Sequence, residues 1–191
     1  MGFLDELIPL IDLRKFLILL IIFAAAPVVA GLYGILHDQI TFTISPEYFT
    51  RFKFQQFQIS PALPYRLAVA IVGWSATWWM GIPIGFILGC VGLIHYNSKD
   101  MLTVTMKAFI VTIAIAFATG LIGLLYGEIF LANKSPEYFQ NWSIPDNLAD
   151  FRSFIAVGSM HNFSYLGGLT GVIAGIVYSV VRRRKLPLQR M

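Results

Sequence analysis

The chain has 191 residues, of which 57% are hydrophobic, 15% aromatic and only 13% charged, against about 25% charged in a soluble domain. With a net charge of +4 and one cysteine, Cys90, this composition excludes a disordered chain, an ordinary soluble enzyme domain, a fibre and a disulfide framework. The densest basic run, Arg182, Arg183, Arg184 and Lys185, directly follows a long apolar stretch. That is the position of a cytoplasmic membrane anchor, so the bilayer is the expected partner and nucleic acid is not.

Residues 1–15 open the chain as an amphipathic segment. Phe3, Leu4, Leu7, Ile8, Leu10 and Ile11 follow helical spacing, with Asp5, Glu6 and Asp12 on the other face. The expectation is a short interfacial helix, set apart from the first span by Pro9. Residues 16–94 form a first hairpin, with spans at about 16–36 and 67–94. A cytoplasmic loop, 95–107, leads to a second hairpin at 108–181, with spans at about 108–127 and 153–181. Residues 182–191 are a basic tail. Each span reaches the ~20 apolar residues that a crossing needs. Each is read as a helix, because lipid offers no partners to the backbone. The first span is too long for a signal-peptide core and lacks a closing small-x-small site, so it is read as retained.

Orientation follows from Lys and Arg. Nine lie on the side of both termini and five on the side of the two long loops. Both termini are therefore expected in the cytoplasm, with the long loops outside. The small size and the lack of large outer domains point to a bacterial inner (plasma) membrane.

The two outer loops share a string: Ser45-Pro46-Glu47-Tyr48-Phe49 recurs as Ser135-Pro136-Glu137-Tyr138-Phe139. Leu32-Tyr33-Gly34 is matched by Leu125-Tyr126-Gly127, and Gly81, Gly85 and Gly89 by Gly167, Gly171 and Gly175. The fold class is thus all-α integral membrane, with four transmembrane helices as two tandem parallel-repeat hairpins. Ser as N-cap, Pro at the first helical position and an acid in the first turn predict a short helix in each outer loop. The GxxxG-like glycine ladders predict close helix packing, and Pro83 predicts a kink.

No catalytic motif is present: no nucleophile elbow, phosphate loop, zinc-protease helix or dinucleotide fingerprint. Three histidines are too few for a two-haem cytochrome. His161 lies within the fourth span, where a polar residue is a functional hypothesis by default. His37 and Asp38 close the first span and Glu128 the third. If the helices bundle, His37, Glu128 and His161 meet as a metal or proton site. The alternative is structural: His161 as interhelical glue, the others in the headgroup region. No cofactor is favoured.

The leading functional expectation is a non-enzymatic subunit, assembly or scaffold component of a membrane complex or homo-oligomer. Its outer-loop aromatics, including Phe42, Tyr48 and Phe49, would form a docking surface. The alternatives are a small transporter or channel working as an oligomer, and a membrane metal-handling or redox enzyme with a site near the outer face.

Overall fold

The computed structural model describes residues 13–140 and 142–185, and no side chain at Pro136. Most of the expected interfacial helix and the end of the basic tail lie outside these residues. Helix α1 spans Leu13–Ile44. Helix α2, Tyr65–Thr77, passes through a 3₁₀ turn at Trp78–Met80 into α3, Gly81–Gly92. Helix α4, Ser98–Tyr126, ends in a π-turn at Gly127–Leu131, and α5 spans Phe151–Lys185. There is no strand among the described residues. Four stretches are long and apolar enough to cross a bilayer: Leu13–Ile44, Tyr65–Gly92, Ser98–Leu131 and Phe151–Lys185.

Three helices are longer than the sequence suggests, the fourth reaching Lys185 where the expected span ends at 181. The first runs beyond Leu36, because His37 and Asp38 continue its backbone ladder instead of ending it. Thr41 Oγ1 donates to the carbonyls of His37 and Asp38, each at 3.2 Å. The third begins at Ser98, within the expected loop 95–107. Asn97 Oδ1 accepts from the Asp100 N–H at 2.8 Å, and Asn97 Nδ2 donates to Asp100 Oδ2 at 2.9 Å. This is a reciprocal N-cap at Asn-x-x-Asp spacing.

The second span is broken just before Pro83. A proline there cannot donate to the carbonyl of Trp79, and the 3₁₀ turn at Trp78–Met80 resets the ladder.

The outer-loop strings fold as short helical pieces of different kinds. The first gives a π-turn at Tyr48–Lys53 followed by one helical turn, Phe54–Gln56; the second gives a 3₁₀ turn at Pro136–Phe139. Neither serine makes the expected capping bond. Ser45 breaks the helix for one residue, but its N–H still bonds back to Thr41 O at 2.9 Å and the Tyr48 N–H goes to the Ser45 carbonyl, not to its hydroxyl. That hydroxyl is buried without a partner. Ser135 makes no side-chain cap either.

Helix α1 packs along α2 and α3, and α4 along α5. The glycines explain how close these pairs come. A Cβ at Gly81 would meet the Ala26 carbonyl oxygen at 2.4 Å, and one at Gly171 the Thr112 carbonyl oxygen at 2.7 Å. Gly85 and Gly89 face Ala26, Leu19 and Phe23 of α1, while Gly167 and Gly175 face Ala116, Thr119 and Ala108 of α4. Thr77 Oγ1 donates to Ala30 O at 2.9 Å, and Thr112 Oγ1 to Gly171 O at 3.1 Å. Both ladders are therefore used inside the chain, where small residues let apolar helices touch without a hydrophobic drive.

Contact between the two helix pairs is sparser and concentrates towards the ends. One apolar cluster gathers Phe42, Phe49, Val69, Phe139, Phe154 and Ile155 at the end that carries both long loops. The other gathers Ile22, Ala26, Leu88, Met101, Ala108 and Phe109. A cleft lies between the pairs.

Candidate metal and ligand site

His37 and Asp38 sit on α1, two turns before its end; His161 and Ser164 lie one turn apart on α5. The fold brings the two helices together here. Asp38 Oδ1 is the hub: His37 Nδ1 and His161 Nε2 each lie 3.2 Å from it. The far side of each ring is also held. His37 Nε2 is 3.1 Å from Ser164 Oγ, and His161 Nδ1 is 2.9 Å from Val157 O, one turn back on its own helix. The imidazoles meet edge to face at 4.8 Å between centroids, and Tyr48 stacks on His161 at 4.8 Å. His37, Asp38 and His161 are all buried.

The cluster closes one end of the cleft. All four long helices contribute walls: Val29 and Ala30 from α1, Ala76 from α2, Ile113 from α4, Gly168 from α5. The cleft offers about 90 Å³ to the centre of a water-sized sphere, room for several waters or a slender chain, and it opens at its mouth. Its lining is mainly apolar; Thr77 and Thr112 bond their hydroxyls to Ala30 O and Gly171 O, and the charged and ring groups lie at the His37–Asp38–His161 end, where Tyr33, Lys53 and Ser164 join. The Tyr33 hydroxyl is buried beside Ser164 but makes no hydrogen bond of normal geometry. Lys53 donates to Gln56 Oε1 at 2.9 Å and lies over the Phe52 ring at 4.9 Å from its centroid. Burial pulls the Lys53 ammonium below its ordinary value, with the Asp38 carboxylate opposing this. Burial likewise raises the Tyr48 phenol.

Of the three residues grouped from the sequence, His37 and His161 come together and Glu128 does not. Glu128 accepts from Arg152 Nε, and Arg152 Nη2 donates to the Glu128 carbonyl at 3.1 Å. The carboxylate in the cluster is Asp38. Its signal was adjacency to His37 and an i, i+3 threonine; reading it as a helix end concealed it. The outer-loop aromatics also turn out differently. Phe42, Tyr48 and Phe49 are buried in the core and form no docking surface.

A second polar contact lies about 27 Å along α5, at ~1.5 Å per residue. There His95, buried in the connection between α3 and α4, meets Ser179 Oγ at 3.0 Å. Burial holds the His95 imidazole below its ordinary value, with the Arg183 charge acting in the same direction. Compared with known proteins, the chain matches no family model, no curated protein and no solved structure.

Proposed function

We propose that this is an integral membrane protein that binds an amphipathic molecule from the bilayer, in the cleft between its two helix pairs. The apolar part, an acyl or isoprenoid chain, lies against Val29, Ala30, Ala76, Ile113 and Gly168. The head group meets Tyr33, Lys53, Ser164 and the His37–Asp38–His161 cluster. The observation that carries this reading is the cleft itself: mainly apolar along its length, with its two histidines, Asp38 and Lys53 gathered at one end. That is the usual make-up of a ligand site. The unpartnered Tyr33 hydroxyl adds weight, because a buried polar group without a partner costs free energy that a head group would recover. A Lys ammonium and a phenol favour a head rich in acceptors, such as a carbonyl or an anionic group.

The membrane placement we propose puts both termini in the cytoplasm and both long loops outside a bacterial inner membrane. The Lys and Arg distribution supports it. On this reading the two hairpins are copies of one unit, related about an axis along the membrane normal, and the cleft is the seam between them. The sequence-based role as a component of a membrane complex or homo-oligomer stands beside this as a proposal; the mass of the purified particle tests it.

Gly168 provides the test of ligand binding. It lines the cleft, and a Cβ there meets nothing within 4 Å. Gly168→Phe should therefore fill the cleft without disturbing helix packing. Protein purified in mild detergent should carry a near-stoichiometric amphiphile by mass spectrometry of its extract, and folded Gly168→Phe should lose most of it. Absence of any enriched amphiphile from the parent, or equal occupancy in the variant, overturns the reading.

A further inference from the structure

We infer that His37, Asp38 and His161 bind a divalent first-row transition-metal ion, zinc or iron(II). At His161 the protein's own hydrogen bonds set two acceptors face to face. A backbone carbonyl only accepts, so His161 Nδ1 must carry the proton that it shares with Val157 O at 2.9 Å. The neutral ring then has a bare lone pair on Nε2. That lone pair faces Asp38 Oδ1, another acceptor, at 3.2 Å. A proton or a metal ion between them relieves the two facing acceptors.

A proton would satisfy that one pair, but a third donor atom points at the same place. His37 Nδ1 lies 3.2 Å from the same Asp38 oxygen. Its Nε2 reaches Ser164 Oγ, a hydroxyl that accepts from Nε2–H as readily as it donates. In that state His37 Nδ1 is also a free lone pair. One proton bridges two atoms; a metal ion gathers three. The three donor atoms lie within 4.8 Å of one another. Metal bonds of ~2.0–2.1 Å set tetrahedral ligand–ligand edges of about 3.4 Å. Two edges are already at that spacing, and only the third must close.

The surroundings fit as well. A histidine that ligates a metal nearly always donates its other N–H to a carbonyl or similar acceptor, which fixes tautomer and ring orientation. Val157 O and Ser164 Oγ occupy those places, and Tyr48 stacks on the His161 ring. Two imidazoles and one carboxylate, with no thiol, suit zinc or iron(II). Three protein ligands leave a position open. All three line the cleft, so that position is available to a water or to a head group. One carboxylate against a divalent ion leaves a net positive site beside Lys53, which favours an anionic fourth ligand.

The test is elemental analysis of the full-length protein, purified in mild detergent after loading with zinc, or anaerobically with iron(II). About one equivalent is expected in the parent. His161→Gln and Asp38→Asn should lower occupancy at least about tenfold, while Glu128→Gln should leave it unchanged, because Glu128 pairs with Arg152. Cobalt(II) in place of zinc should give visible bands that His161→Gln abolishes. If the cluster variants do not fold, the parent alone decides: zinc should raise its melting temperature and a chelator reverse the rise. Failure of both the parent occupancy and that shift overturns the inference, as does unchanged occupancy in folded His161→Gln. Folded Gly168→Phe should keep its metal while losing the amphiphile, so this inference and the ligand reading fail separately.

Discussion

Tyr48 and Tyr138 hold the same place in two identical pentapeptides, yet Tyr48 is 6% exposed and Tyr138 is 62% exposed. The neighbours make the difference. The first copy continues off α1 almost without a break and is followed by Phe52, Phe54 and Phe57, which fold it inward. Tyr48 thereby stacks on His161 and packs against Phe154, both on α5. Of the second copy's described side chains only the phenylalanine is buried, against Phe151 and Trp142, and the tyrosine stays outside. Similar sequences thus contribute different halves of one arrangement. The first helix pair supplies His37, Asp38 and Tyr48; the second supplies His161 and Ser164. Aligning Leu32-Tyr33-Gly34 with Leu125-Tyr126-Gly127 places Phe130 and Leu131 opposite His37 and Asp38. No second cluster of this kind can be built from those side chains.

The glycine ladders are where the two helix pairs should behave alike, and here the largest effect is expected. Gly81→Leu drives a side chain into the Ala26–Pro27 backbone, and Gly171→Leu into the Thr112 backbone. Backbone yields less readily than a side chain, so each should cost about 3 kcal/mol or more, the top of the overpacking range. Gly168→Leu, with open space at its Cβ, should change stability by less than about 0.5 kcal/mol. Reversible unfolding in mixed detergent reads all three. A large loss at one ladder and none at the other would break the likeness of the two pairs.

The tyrosines sharpen the contrast. Tyr48→Ala removes a buried ring and should cost about 3 kcal/mol, the low end for truncating a buried aromatic. Tyr138→Ala should stay within about 0.5 kcal/mol. Tyr48→Ala should also free the His161 ring, which nitrogen-15 NMR of labelled imidazole would report as a changed His161 environment. Equal costs at the two tyrosines would mean that the pentapeptide is only an interfacial anchor in both loops.

The existence of four apolar helices was legible because a bilayer demands long uncharged runs, and nothing else in the sequence competes with that signal. Helix ends were less legible. His37 and Asp38 look like the exit from a membrane, since charge ordinarily ends a span; the fold instead turns them towards His161, so polarity marks the site and not the boundary. The start of α4 carried a readable sign, Asn97 three residues before Asp100, but the charged Lys99 and Lys107 outweighed it. The pairing of His37 with His161 follows from two histidines in the same half of neighbouring helices. The exchange of Glu128 for Asp38 does not, because it depends on Arg152 reaching Glu128 first. The inward turn of Tyr48 is not written in its pentapeptide, which recurs in a loop whose tyrosine faces outward; its sign is the Phe52, Phe54 and Phe57 that follow.

Glu47 and Glu137 give the smallest effect and the finest comparison. Glu47 reaches across the molecule: its carboxylate accepts from the N–H groups of Ala149 and Asp150, at 3.1 and 2.8 Å, just before α5 begins. These two bonds hold its carboxyl below the ordinary value of 4.5. Glu137 is held below that value too, but by Ser135 within its own turn. A carboxyl depressed in the folded state adds stability that is fully present above 4.5 and lost as pH falls through the folded value. Both groups are solvent-exposed, so the effect on melting temperature should be slight in each case. Amide exchange separates them. Corrected for intrinsic rates, the Ala149 and Asp150 amides should exchange several-fold faster in Glu47→Gln, and in the parent once pH drops below the folded value of Glu47. Glu137→Gln should leave those two amides unchanged at every pH. Faster exchange there in both variants would show that the outer loops move as one unit, and that Glu47 is not the clasp between them.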